Sequence, residues 1–446
     1  MAEAHVRPAT ENDATDGFGI LGGLHETNNQ RTLRLDIWPE GRTYKLRIQT
    51  DDAELQTLFG DPQEHELPIT ESELLGAVQS CRSTWNERLV HLAQGPMKPF
   101  QQFWDFKDHG DLMEQALPEL ARAGAMLFLT LFYPRAAEDP QLHAGLRKVG
   151  KGLRQAMAAR NRWLKIASTD FHVPWGLIYS EPLDIDGKNW RPEGFWGYQH
   201  LIDSAPLGKG GMKNDLEVPD GDPLVMALQL DSGIDQQLKV PCIQLVEDQL
   251  AKYGNALRID RRIRRTALAQ ALGQGPLDEH VLFFCCHAIV DGVSTEIRSD
   301  EAYLTLSDRS PDPKLDRITP DDILQWIDMR SFYEDGRRPI FFLNACGSGQ
   351  LNSIFYPSFG ERFLELGASS VVGAQVELPA FFAGEFARRF FERFFTGGTE
   401  NQIGKILFDL RRAFFNDHKN PLGLIYSLYR GADIYLRRGL SPPGVP

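Results

Sequence analysis

Apolar and polar residues alternate in TLRLDIW and TYKLRIQ, two stretches separated by the turn PEGR. Leu33, Leu35 and Ile37 share one face, and Tyr44, Leu46 and Ile48 the matching one. A period of two on either side of a turn predicts a β-hairpin. The period then changes. Thr70 and Glu73 have capping-box spacing, and Leu74, Val78, Cys81, Trp85, Leu89 and Leu92 follow at helical intervals. Cys81 therefore belongs to a buried helix stripe. Farther on, Leu142, Leu146, Val149, Leu153 and Met157 mark a second helix, and WLKIAS a strand. The segment 205–223 is rich in Gly, Pro and charge and reads as a long loop or an inter-lobe boundary. PLVMALQL is a strand candidate. Residues 242–270 read as helical or mixed, and the five arginines between Arg258 and Arg265 as a solvated helix face.

Two short, continuously apolar runs stand out, VLFFCC before His287 and PIFFLNA before Cys346. Runs of this length and character suit strands buried in a parallel sheet. Between them, Thr319-Pro320-Asp321-Asp322 supplies an N-cap, a proline for the first turn and acids for the positive helix end. The whole reads as a βαβ unit with its two strands as parallel neighbours about 4.8 Å apart. Of 27 phenylalanines, 18 follow residue 280, which places the densest core in the last third of the chain.

Composition narrows the function classes. The chain has 446 residues, enough for two to four structural units. Its net charge of −13 disfavours broad nucleic-acid binding. Five cysteines, at 81, 242, 285, 286 and 346, are an odd number without a C-x-x-C pair. That pattern points away from a disulfide framework or a zinc knuckle and toward a reducing, cytoplasmic compartment. The polar start MAEAHVRPATENDATDG is unlike a signal peptide, and the longest apolar runs fall short of a membrane span. GKGG in the 205–223 segment lacks phosphate-loop spacing.

The candidate chemistry sits at the two strand ends. In open α/β sheets ligands bind at the carboxyl ends of the strands. His287 and Cys346, far apart in sequence, are thereby brought to one cleft. A thiol is mostly protonated at neutral pH, and a neighbouring imidazole raises its thiolate fraction. The thiolate attacks a carbonyl, and the imidazole protonates the leaving amine. Backbone N–H groups of Cys346 and near Ala288 are candidate oxyanion donors, and Gly347 leaves room for a substrate to approach. Taken singly, Cys346 reads as a buried core thiol and His287 as a structural histidine; the matched strand ends favour catalysis. Cys285 and Cys286, adjacent in a strand, face opposite sides and read as packing rather than metal ligands. Asp291 or Asn344 would serve as a third, orienting group, with nothing in the spacing to choose between them.

These residues resemble the CHAT-domain family of caspase-like cysteine peptidases, in the clan of caspases and separases, over roughly residues 105–446. The family's A-C-H-G is matched here by CCHA, and its S-A-C-E-x-G by NACGSG, which is also similar to the caspase Q-A-C-x-G. ITPDDIL, FGERFLELGASSVVGAQVELP and FHVPWGLIY resemble further family segments. Two positions depart: Ala288 stands where the family has Gly, and Gly176 where it has an acid. The resemblance implies an α/β fold with a mostly parallel, caspase-like sheet flanked by helices. It implies a small N-terminal α+β accessory region (1–104), a non-catalytic first lobe (105–220) and a catalytic lobe (221–446). His287 becomes the general base and acid, Cys346 the nucleophile, and the Ala288 N–H an oxyanion donor, with Gly347 beside it.

The expected function is a cysteine endopeptidase that needs no metal or organic cofactor, regulated by a partner or ligand, in a bacterial defence or programmed-cell-death system. Its partners would be a protein substrate, such as a pore-forming effector, and a sensor or activator protein. Asp291 and Glu377 are candidate pocket acids, Glu377 favouring a basic residue before the cut. The loops 205–223 and 292–317 are candidate processing sites. The alternative is a catalytically silent caspase-like scaffold; a second is a Cys-dependent acyl or amide transferase.

Overall fold

A computed structural model describes residues 32–50, 52–59, 64–109, 111–133, 140–159, 161–168, 171–206, 215–216, 222–273, 277–290, 302–307, 316–326, 337–347, 355–365 and 367–440. Its frame is one mixed sheet of 13 strands. In chain order the strands are β1 (Thr32–Glu40), β2 (Thr43–Thr50), β3 (Glu64–Leu67), β4 (Trp163–Ser168), β5 (Leu201–Pro206), β6 (Asp215–Leu216), β7 (Leu224–Leu230), β8 (Leu257–Arg262), β9 (Val281–Val290), β10 (Ala302–Thr305), β11 (Arg317–Ile318), β12 (Ile340–Gly347), β13 (Ser370–Ala374), β14 (Tyr426–Tyr429) and β15 (Tyr435–Leu436). The large sheet runs β11-β10-β9-β12-β13-β14-β5-β4-β1-β2-β3, with β7 on β9 and β8 on β7; β6 and β15 pair separately.

The predicted hairpin forms β1 and β2. Leu35 lies opposite Ile48 and Ile37 opposite Leu46, so the apolar sets meet on one buried face. It continues the large sheet, because β1 pairs in parallel with β4. The strands β1, β2 and β3 thus form one end of the sheet, and β14 joins β5. The helix Glu71–Trp85 carries the full capping box, and Leu74, Val78, Cys81 and Trp85 are buried along it. The second predicted helix is Pro140–Ala159, and WLKIAS is β4.

The sequence pattern misleads in two places. The arginine run belongs in part to a strand, β8, where Leu257 packs inward while Arg258 and Arg261 face solvent. Charged side chains on such a border strand also discourage pairing with another chain. The connection from β9 to β12 is longer than one crossover helix. It inserts β10 and β11, both antiparallel, before the helix Pro320–Trp326. Most of 205–223 and of 292–317 lies outside the described residues.

The core has two layers because strand residues alternate between faces. Val281, Phe283, Cys285 and Phe342 pack toward the helices Cys242–Ala251 and Ala380–Phe394. Phe342 contacts Phe390 and Phe391 at ring-centroid distances of 4.8 and 5.4 Å. Leu282, Phe284, Cys286, Phe341 and Leu343 pack on the opposite face. There Phe341 stacks on Phe363 of the helix Phe355–Glu365 at 4.2 Å. The late phenylalanines supply this aromatic packing.

His200 is fully buried, and neither ring nitrogen has a hydrogen-bond partner among the described residues. Burial, reinforced by Arg162, pushes its pKa down to about 3. Unfolding returns the ring to an ordinary value near 6.5, so between about 3 and 6.5 the unfolded chain binds a proton that the folded chain refuses. Acid therefore erodes stability across this window. Urea midpoints measured at pH 7 and pH 4.5 are expected to fall less in His200→Phe than in the wild type. Equal falls would remove His200 from the account.

Candidate functional site

β9 and β12 run parallel and in register from Val281 opposite Ile340 to Ala288 opposite Gly347. His287 and Cys346 are direct partners in this ladder. Residues directly opposite in parallel strands occupy the same face, about 4.8 Å apart. The apolar runs bury both strands, so the register is fixed by packing on both sides. A slip of one residue would exchange the two core layers.

β9 changes neighbours at this point. Its first half is covered by β7, whose last pair is Leu230 with Cys285. Its second half is covered by β10, whose pairing begins with Thr305 opposite His287. The histidine therefore stands where β7 has ended and its chain turns away. Its side chain is 17% exposed. Cys285, two residues earlier on the same face, is fully buried, with its Sγ 3.5 Å from that of Cys242.

Among the described residues two oxygens approach His287 Nε2: Oε1 of Gln237 at 3.3 Å and Oδ2 of Asp231 at 3.7 Å. Neither residue stands out in the sequence reading. The signal was present in one of them, for Asp231 follows the apolar run PLVMALQL as His287 and Cys346 follow theirs.

The other candidates are placed as follows. Asn344 is buried and committed to the scaffold. Its Nδ2 donates to the Ala383 carbonyl and its Oδ1 accepts from the Tyr426 hydroxyl, both at 2.6 Å. It anchors β12 two residues before Cys346 and is engaged away from His287. Asp291 lies outside the described residues. Glu377 is 4% exposed, its carboxylate 3.3 Å from His91 Nε2. The Trp85 indole donates to its backbone carbonyl. Glu377 thus joins the segment after β13 to the helix Glu71–Trp85 and the turn after it. Ala288 is flanked in the sheet by Gly347 and by Leu304.

Residues 237–402 match the family model of the CHAT domain. The CHAT segment holds both His287 and Cys346. It is shorter than the 105–446 span of the motif resemblance and leaves out FHVPWGLIY and Asp231. No curated protein matches the chain. Among solved structures, two crystal structures of the Saccharomyces cerevisiae separase–securin complex are similar to it at 11% identity, with TM-scores of 0.46 and 0.39. Each alignment covers 92% of this chain but only 31% and 30% of the other, so the chain spans under a third of those neighbours. Among the described residues, no helix is long and apolar enough to cross a membrane, and no group of His, Cys, Asp and Glu could hold a metal ion.

The remaining cysteines belong to the scaffold. Cys81, Cys242, Cys285 and Cys286 are all 0% exposed, and burial pushes the Cys81 thiol up to about 12. Thiols held protonated and away from solvent are inert. Iodoacetamide applied to the native protein is expected to leave these four unmodified, and applied after denaturation to label them all. Peptide mass mapping reads the difference, and native labelling at any of the four would contradict their burial.

Proposed function

We propose that the chain is a cysteine endopeptidase acting through a Cys346–His287 dyad. The observation that carries this is the β9–β12 ladder, which pairs the two residues across adjacent parallel strands. The CHAT match over the same segment supports a caspase-like protease family.

In this reading the imidazole of His287 takes the thiol proton of Cys346. The thiolate attacks the carbonyl carbon of a peptide bond, and the carbonyl electrons move onto oxygen. Backbone N–H groups at Cys346, Gly347 and Ala288 are the candidate donors to that oxyanion, each worth about 3 kcal/mol in the transition state. Collapse expels the amine, which takes the proton from the imidazolium and leaves a thioester. Water, deprotonated by the same imidazole, releases the acid and restores the thiol. The substrate is a protein, in a pathway of bacterial defence or programmed cell death, and a partner or ligand controls the activity.

N-terminal profiling of a proteome incubated with wild type and with Cys346→Ala tests this. New N-termini in the wild type alone support an endopeptidase. Identical profiles across a range of candidate activators would favour the silent scaffold. Acyl or amide transfer products in place of new N-termini would favour the transferase.

A further inference from the structure

Both polar contacts that His287 makes among the described residues lie at one end of its ring, at Nε2. One of them is to a carboxylate, which only accepts hydrogen bonds. In the neutral imidazole one ring nitrogen carries the proton and the other a lone pair, and the acceptor beside a nitrogen selects the protonated one. Gln237 Oε1 at hydrogen-bond distance and the Asp231 carboxylate beside it together favour the tautomer with hydrogen on Nε2, which leaves the lone pair on Nδ1.

We propose that Asp231 is a positioning residue that holds His287 with its proton on Nε2, so that Nδ1 is the nitrogen that takes the proton from Cys346. This rests on the Cys346–His287 reading. Asp231 acts through His287 and touches no reacting atom.

The turn that carries Asp231 is built to hold it. The residue directly follows β7, and its backbone N–H donates to the Cys285 carbonyl at 3.0 Å, tying it to the strand that bears His287. The Gly233 N–H donates to its Oδ1 at 3.1 Å. The next residue, Ser232, is tied to the end of β10: its N–H donates to Ser307 Oγ at 2.7 Å, and that hydroxyl donates to the Leu230 carbonyl at 3.2 Å. β7, β9 and β10 all fix the turn. The Asp231 side chain is 2% exposed, so its charge acts on the imidazole with little screening by water.

Among the described residues the other neighbours do not supply such a charge. Gln237 is exposed and neutral. Thr305, opposite His287 on β10, is neutral. Asp235, on the helix Ile234–Leu238, accepts from the backbone N–H groups of Ile243 and Gln244 at 2.8 and 2.9 Å. Cys346 on β12 is the titrating partner itself.

The test is the pH profile of Cys346 alkylation by iodoacetamide in the full chain, followed at that cysteine by peptide mass. Wild type is compared with Asp231→Asn and His287→Ala. In the wild type a His287-dependent thiolate population persists below pH 7. Asp231→Asn removes the carboxylate that favours the proton on Nε2 and stabilises the imidazolium. Alkylation at pH 6.5 then drops about tenfold, while at pH 9, where the thiol ionises unaided, it matches the wild type. A merely structural role for Asp231 would not restore the rate at high pH. If Asp231→Asn keeps the wild-type profile while His287→Ala abolishes it, the positioning role is wrong and the dyad stands. If His287→Ala keeps the wild-type profile, the dyad itself fails. A measurement on the unmutated chain guards against a variant that does not fold. Two-bond 15N–1H spectra of histidine-labelled protein report the tautomer of His287, whose signal is assigned by its loss in His287→Ala. Hydrogen on Nε2 supports the proposal, and hydrogen on Nδ1 overturns it.

Discussion

Cys346→Ala and His287→Ala each lower peptide-bond cleavage by about three orders of magnitude or more, and the double variant is little worse than either single one. The expectation follows from how the two residues act. The sulfur supplies the bond-forming electrons and the imidazole supplies and receives the proton, so removing one leaves the other nothing to do. Groups that act as a unit are strongly non-additive. Cleavage is followed by quantitative N-terminal profiling, with the melting temperature of each variant measured alongside. His287 is partly exposed at the point where β7 gives way to β10, so its truncation is expected to leave the fold intact. A His287→Ala variant that cleaves at the wild-type rate would remove the dyad, and two additive losses would show that the residues work independently.

The second large effect is on stability, at Gly176. This residue stands in the short 3-10 turn Trp175–Leu177, where the CHAT family resemblance would place an acid. A Cβ built there lies 2.0 Å from the backbone oxygen of Leu424 and 3.6 Å from the Cα of Gly197. Gly197 is crowded in turn, its Cβ position being 2.8 Å from the same oxygen. Three backbone segments thus meet where no side chain fits, beside the stacked rings of Trp175 and Trp196. Relief requires moving main chain, so Gly176→Ala is expected to cost about 3 kcal/mol or more, and Gly176→Glu to prevent folding. Gly76→Ala is the control. Gly76 lies in the helix Glu71–Trp85 with nothing within 4 Å of its Cβ position. There alanine stabilises by up to about 1 kcal/mol. Urea midpoints of the three variants are the measurement, and a Gly176→Ala midpoint equal to that of the wild type would show that the segments can separate freely.

Gly176 also shows that a departure from a family pattern has a physical cause. In the sequence it reads as the loss of an acid and of whatever the acid did. In the structure the glycine is required by the approach of Leu424, which is 248 residues away. The role of the missing acid and the shape of this chain are separate matters, and only the second could not be read in advance.

Local chemistry was legible wherever local energy decides. The hairpin, the capping box at Thr70, the helix 140–159, β4, β7 and the two apolar strands all follow from alternation, caps and runs. Backbone hydrogen bonding and burial of one face are settled within a few residues there. β8 was missed because its arginines obscure the apolar positions Leu257 and Ile259. β10 and β11 were missed because strands of four and two residues are too short to show a period.

The sequence by itself determined that two buried parallel strands would each end near a reactive side chain, His287 on one and Cys346 on the other. Apolar runs, turns and caps are properties of neighbouring residues, and those suffice to set strand positions. It did not determine which group would stand beside the imidazole. Asp291 and Asn344 were the candidates; Asn344 is bound to Ala383 and Tyr426, Asp291 lies outside the described residues, and among the described residues the acid beside His287 is Asp231. That choice depends on where β7 stops against β9, a register set by packing between elements distant in the chain, which no local pattern records.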